Sequence, residues 1–182
     1  LELVDSDEDS LRITTDRLAT NCTQAINTLT QRCFGPRCTA EVTVDGTGLN
    51  VGDYAGICAL QGCFAQLALT RTAEGYALSL MTREDEHAPY AIAPATEPVS
   101  ELARIAAPGG CVRLRAAFDF TRDTVQFSCV NDAGERVAIG PPHQLVYRLD
   151  HFMGCRVGLF MYSTKETAAS RFAGSSHAFL VM

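Results

Sequence analysis

Apolar and polar residues alternate with a period of two along most of this chain. In residues 111–120, Val112, Leu114, Ala116, Phe118 and Phe120 fall on one face, and Arg113, Arg115 and Asp119 fall on the other. That is the pattern of a strand with one side on a core. Val125, Phe127 and Cys129 alternate in the same way with Gln126, Ser128 and Val130. Thr121-Arg122-Asp123-Thr124 is short enough to join the two runs as a hairpin. Asn131-Asp132-Ala133-Gly134 is a second turn signal before Arg136-Val137-Ala138-Ile139, so the three runs predict a meander. The first half repeats the rhythm at 11–14, 27–33, 39–44, 55–60, 64–70 and 76–81, with turns at Gly35-Pro36, Asp45-Gly46, Gly52-Asp53, Gln61-Gly62 and Glu74-Gly75. About a dozen short strands at such spacing predict an all-β fold of two packed antiparallel sheets. Residues 101–106 read equally as a short helix or as a strand ending at Pro108-Gly109-Gly110. Residues 84–98, with three prolines and a charge cluster, predict a long surface loop.

The totals narrow the picture. A chain of 182 residues with 47% hydrophobic content supports one domain over 1–182 with a substantial core. Its formal charge of −6, concentrated at Asp5-Ser6-Asp7-Glu8-Asp9 and Glu84-Asp85-Glu86, argues against nucleic acid as a partner. No run approaches the roughly 20 apolar residues that span a bilayer, so no membrane partner is expected, and the N-terminus lacks the basic and apolar regions of a secretory signal. The first residue is Leu1, consistent with a processed product or a fragment of something longer. The eight cysteines are expected as reduced thiols, which suits a cytoplasmic location, with Cys111 and Cys129 in the core. Their spacing does not match a zinc site.

The segment His151-Phe152-Met153-Gly154-Cys155-Arg156-Val157-Gly158-Leu159-Phe160 departs from plain alternation. Two glycines inside an apolar run predict a bulge, a bend or close approach of another backbone. Together with Ala25-Ile26-Asn27-Thr28-Leu29-Thr30-Gln31-Arg32 before Gly35-Pro36, and Gly52-Asp53-Tyr54-Ala55-Gly56-Ile57-Cys58-Ala59-Leu60-Gln61, it resembles the C-terminal domain of glycoside hydrolase family 43. In that family this is the concanavalin A-like β-sandwich, a jelly roll, of β-xylosidases and α-L-arabinofuranosidases. The likeness runs in order from about residue 22 to 165, with 112–120 and Ile139-Gly140 also fitting.

The resemblance implies a noncatalytic accessory domain that packs on a five-bladed catalytic propeller and helps shape a pocket for pentose-containing oligosaccharides. It assigns no catalytic residue here, because the family's acid, base and modulating carboxylates belong to the propeller. It implies a place at the pocket rim for Phe152, whose ring suits the C–H face of a sugar, with His151 beside it as a hydrogen-bonding group. A core or interdomain packing role competes for Phe152, and a histidine satisfied by backbone competes for His151. Two departures stand out. Ile26 replaces an arginine, and Ser175-Ser176-His177-Ala178-Phe179 lacks the acidic positions common in the last strand. An arginine and its carboxylate partner lost together would place Ile26 near residues 175–179.

Other chemistry is thinly represented. The four histidines are scattered, and Asp119 with Asp123, or Glu84 with Asp85 and Glu86, read as solvated surface. Asp45 and Asp53 at glycine turns suit calcium or, more simply, turn capping; no metal or other cofactor is expected. Two alternatives to the accessory domain remain: a free-standing carbohydrate-binding module, and a structural sandwich that forms homo-oligomers. With no tryptophan and five tyrosines, Tyr90 is the tyrosine expected as an exposed sugar platform, whereas Tyr54 and Tyr162 are expected in the core.

Overall fold

The computed structural model describes residues 10–61, 63–83, 99–131, 133–147, 154–165 and 176–181. In chain order the strands are β1 (Ser10–Thr15), β2 (Leu29–Arg32), β3 (Arg37–Asp45), β4 (Asp53–Leu60), β5 (Phe64–Thr72), β6 (Gly75–Arg83) and β7 (Ser100–Ala106), followed by β8 (Cys111–Asp119), β9 (Thr124–Val130), β10 (Arg136–Ala138), β11 (His143–Gln144), β12 (Arg156–Ser163) and β13 (Ser176–Val181). Among the described residues there is no helix. The named strands pair antiparallel in two sheets. Sheet A runs β1-β13-β3-β8-β9-β10, with β11 also on β9; sheet B runs β2-β12-β4-β5-β6-β7. This is the all-β, two-sheet antiparallel sandwich that the alternation predicts. The β8–β9 hairpin and the β8-β9-β10 meander form as expected.

The two inner faces interdigitate into one core. Val42, Val44, Val112, Leu114, Ala116, Phe118, Val125 and Phe127 come from sheet A, and Ile57, Leu67, Leu69, Leu78, Leu80 and Met161 come from sheet B. Outward from the core, sheet A is polar, as a half-buried sheet should be. Sheet B is different, because its outer face carries a second cluster of Cys58, Phe64, Ala68, Met81, Phe160 and Tyr162 covered by Ala19 and Cys22. Gln66 lies at its centre, fully buried. Its Oε1 accepts the Cys22 amide at 2.9 Å, and its Nε2 donates to the Tyr162 hydroxyl at 2.6 Å. The Tyr54 and Tyr162 rings stack alongside at 5.2 Å. Tyr162 is therefore core, while Tyr54 is half-buried against this second cluster.

Three details qualify the sequence reading. Residues 101–106 are strand, because β7 completes the edge of sheet B by pairing with β6; its register shifts at Leu80/Met81, leaving Leu102 as the extra residue. Cys129 is buried but Cys111 is exposed. Cys111 shares the outward parity of Arg113 and pairs with Asp45, so it belongs to the polar face of β8. The glycines of β12 and its approach have separate roles. Gly154 adopts φ +67°, whereas a Cβ on Gly158 would stand 2.9 Å from Cys58 Sγ.

Gly56 is the tightest position in sheet B, since a Cβ there would come within 2.0 Å of the Leu67 carbonyl oxygen. Gly56→Ala is expected to cost about 3 kcal/mol, as overpacking against backbone does. Gly109→Ala, where a Cβ meets nothing within 4 Å, is expected to stay within about 0.5 kcal/mol of the parent. Urea midpoints compare the two, and a Gly56→Ala midpoint equal to that of Gly109→Ala would refute the close-approach account.

Candidate functional site

His151, Phe152 and Tyr90, the residues singled out from the sequence, lie outside the described residues. The strands that flank them are described, and they converge. Arg83 ends β6 opposite Phe64, Phe64 pairs with Leu60, and Leu60 pairs with Arg156 of β12, which pairs in turn with Arg32. One residue further, the Cys33 amide donates to the Cys155 carbonyl at 3.1 Å. The chain then turns through Phe34, Gly35 and Pro36, where the Phe120 amide donates to the Pro36 carbonyl at 2.9 Å. The Leu145 amide donates to the Asp123 carbonyl at 2.7 Å in the adjacent β8–β9 turn. Residues 83, 99, 147 and 154, which bound segments 84–98 and 148–153, thus stand at one end of the sandwich.

Large apolar side chains are exposed at that end. Phe34 is 68% exposed, Tyr147 72% and Val146 43%. The loops that hold them are both bonded to the β8–β9 turn, through Phe120 and Asp123, so all three are exposed at the same end of the sandwich. Behind them, the Cys33 thiol is hydrogen-bonded to that of Cys155, and this contact, with burial, holds Cys33 protonated well above the usual thiol range.

Around the corner, the outer face of sheet A carries a groove of about 670 Å³. Registers place Arg37 beside Asp119 and Thr124, then Thr39 beside Ala117 and Gln126, then Glu41 beside Arg115 and Ser128. The single methyl of Ala117 leaves the depression. Arg115 Nη1 meets Glu41 at 2.8 Å and Nη2 donates to the Thr39 hydroxyl at 3.2 Å, while Arg136 reaches the same Glu41 oxygen at 3.5 Å. Arg37 Nε donates to Asp119 Oδ2 at 3.1 Å. Arg122 lines the groove from the β8–β9 turn.

The carboxylates considered from the sequence have definite occupations. Asp119 Oδ1 accepts the Thr121 hydroxyl at 2.5 Å and its amide at 3.0 Å. The Thr121 hydroxyl first, and then the Thr121 amide and Arg37, hold Asp119 below the usual carboxylate range. Asp45 Oδ1 accepts the Thr47 amide and hydroxyl at 2.9 and 2.7 Å, and Asp53 Oδ2 accepts the Asn50 amide at 2.8 Å. Both are turn caps. Among the described residues no three His, Cys, Asp or Glu side chains gather to hold a metal ion, and no helix is long and apolar enough to cross a membrane. Ile26 is 75% exposed. Its neighbour Asn27 donates to the Thr14 carbonyl at 2.8 Å, and Thr14 pairs with His177, so the two departures from the family pattern fall in one neighbourhood. The grooved arginines escaped the sequence reading, although Arg113 and Arg115 on the polar parity of β8 were the signal for them.

The family described as β-xylosidase C-terminal concanavalin A-like domain matches residues 3–174. Among solved structures, a bifunctional GH43-CE protein of Bacteroides eggerthii is 30% identical, with a TM-score of 0.79 over 97% of this chain and 21% of its own. A GH43 glycoside hydrolase engineered to display both endo-xylanase and exo-arabinofuranosidase activity is 20% identical, with a TM-score of 0.84 over 98% of this chain and 34% of its own. The GH43 BlXynB protein of Bacillus licheniformis is 16% identical, with a TM-score of 0.68 over 94% and 31%. This chain therefore spans a third or less of the length of such proteins, apart from the 34% of the engineered one. A search of curated proteins finds no match.

Because its folded value is depressed, Asp119 stabilises the fold above the ordinary carboxylate range near 4, and that contribution fades as pH falls through the folded value. Thr121→Ala is expected to move the Asp119 titration upward. Carboxylate ¹³C shifts followed against pH measure it, and an unmoved midpoint would show that Thr121 is not the cause.

Proposed function

The chain belongs to the family of β-xylosidase C-terminal concanavalin A-like domains of glycoside hydrolase family 43, and from this premise we propose that it is an accessory domain. It packs on the catalytic propeller of the same polypeptide and helps shape a pocket for xylo- or arabino-oligosaccharides, contributing no acid or base of its own. The observation that carries this reading is the apolar patch of Phe34, Val146 and Tyr147 at the end from which segment 148–153 departs. Covering side chains of this size is worth about 1.5–3 kcal/mol each, so a partner domain is the natural occupant. His151 and Phe152 then belong to a segment rooted at the interface, where a ring can meet a sugar face and exclude water. The depressed Asp119 supports a noncatalytic role, since a carboxylate held ionised by a turn and an arginine is a poor proton donor.

In the intact enzyme, Phe152→Ala is expected to lower kcat about tenfold, the size of one lost transition-state contact, while the unfolding midpoint stays in place. Unchanged kinetics would remove Phe152 from the pocket. Phe34→Asp with Tyr147→Asp is expected to uncouple the unfolding of the two domains in calorimetry. If they still unfold in one transition, the patch is not the interface.

A further inference from the structure

The groove on sheet A lies on a different face from the apolar patch, and the accessory role does not use it. Its lining has donors to spare. Arg37 commits only Nε to Asp119, leaving both terminal amino groups without a hydrogen-bond partner among the described residues. Arg122 makes no side-chain hydrogen bond or ion pair among them. Counting the neighbours that share its ion pairs, this face sets four guanidinium groups (Arg37, Arg115, Arg122 and Arg136) against two carboxylates, Asp119 and Glu41. A positive surplus on a chain of net charge −6 is a local construction rather than a reflection of composition.

The geometry points to a binding site for a carboxylate-bearing sugar, a uronate unit within an oligosaccharide, on the outer face of sheet A. The sugar chemistry rests on the accessory-domain reading; the charge comes from the groove itself. A guanidinium fork matches a carboxylate in a bidentate manner, and Arg122 and Arg37 both line the groove. The lining offers partners for hydroxyls in Thr124 and in the side-chain carbonyl of Gln126, whose amide nitrogen already donates to Phe127 and Gly140, beside the small Ala117. Asp119 discriminates between anions. Held ionised at the groove wall, it repels a compact dianion such as phosphate, but its Oδ2 accepts a single bond from Arg37 and has a lone pair free for a ring hydroxyl. A uronate ring presents both groups, its carboxylate toward the arginines and its hydroxyls toward Asp119 and Thr124. At about 670 Å³ the groove has the size of a ligand site rather than an ion site. Without an aromatic platform, binding depends on charge and hydrogen bonds, and it should weaken steeply with salt.

The test titrates the full chain, followed by amide NMR shifts, with three probes. These are a xylo-oligosaccharide bearing one uronic acid branch, the same compound with its carboxyl reduced to the alcohol, and inorganic phosphate. The acidic sugar is expected to bind at least about tenfold more tightly than the reduced one, with shifts centred on β3, β8 and β9. Arg122→Ala and Arg37→Ala should each weaken it about tenfold, and Arg122→Lys should retain part of the loss, a fork being replaced by a point charge. Both side chains stand at the surface, so unchanged unfolding midpoints separate lost binding from lost fold. Equal affinity for the two sugars, wild-type affinity in both alanine variants, or displacement by phosphate at equal concentration would each overturn the proposal. Failure here leaves the coupling of this chain to its propeller untouched, whereas domains that unfold independently in the unmodified intact enzyme, with uronate binding retained, would overturn the accessory reading alone.

Discussion

The arrangement of the whole molecule turns on the Gln66 carboxamide. An amide removed from water costs several kcal/mol unless both of its ends are bonded, and this one sits with no exposure in the middle of the six-stranded sheet. Its oxygen is satisfied by the Cys22 amide and its nitrogen by Tyr162. Residues 16–28 must therefore cross the outer face of sheet B, where Ala19 and Cys22 close the second apolar cluster. Sheet B is consequently buried on both sides over this region. Recognition is left to the ends of the sandwich and to the outer face of sheet A.

Those two surfaces have opposite chemistry. The end where Phe34 and Tyr147 stand is apolar and irregular, built from turns whose backbone groups bond one another. The face of sheet A is regular and charged, with side chains spaced by strand register. Its ion pairs are exposed, and pairs of that kind contribute little to stability. What they supply is orientation, because Glu41 and Asp119 fix Arg115 and Arg37 in known directions along the groove. A surface that is inert as a source of stability is well suited to function as a template.

Much of the fold was legible because alternation reports burial directly. In β8, the parity that put Val112, Leu114, Ala116 and Phe118 inward is the parity of the structure, and the same rule read strictly would have placed Cys111 outside. β7 was ambiguous because it is a mostly exposed edge strand with a bulge, where neither period has a core to enforce it. The double burial of β5 escaped the alternation, because Gln66 interrupts its apolar residues and nothing local says what covers them; that depends on a contact between residues 44 positions apart. The sugar-facing candidates came from resemblance. The arginine groove depends on which strands lie side by side, β3 against β8 against β9, and no local pattern carries that order.

The margins of the two sheets have a consequence of their own. On sheet B, β2 is only four residues long and β7 is broken in register at Leu80/Met81. On sheet A, the outermost strand is split into β10 and β11 with Gly140, Pro141 and Pro142 between them, and the Asn27 side chain caps the Thr14 carbonyl of β1. No margin among the described residues offers a long, straight row of free amides and carbonyls for another strand to join. If the chain is joined to the β-rich propeller proposed above, it meets that neighbour at very high local concentration. Blunted margins would then let the two meet through side chains without their sheets annealing into one.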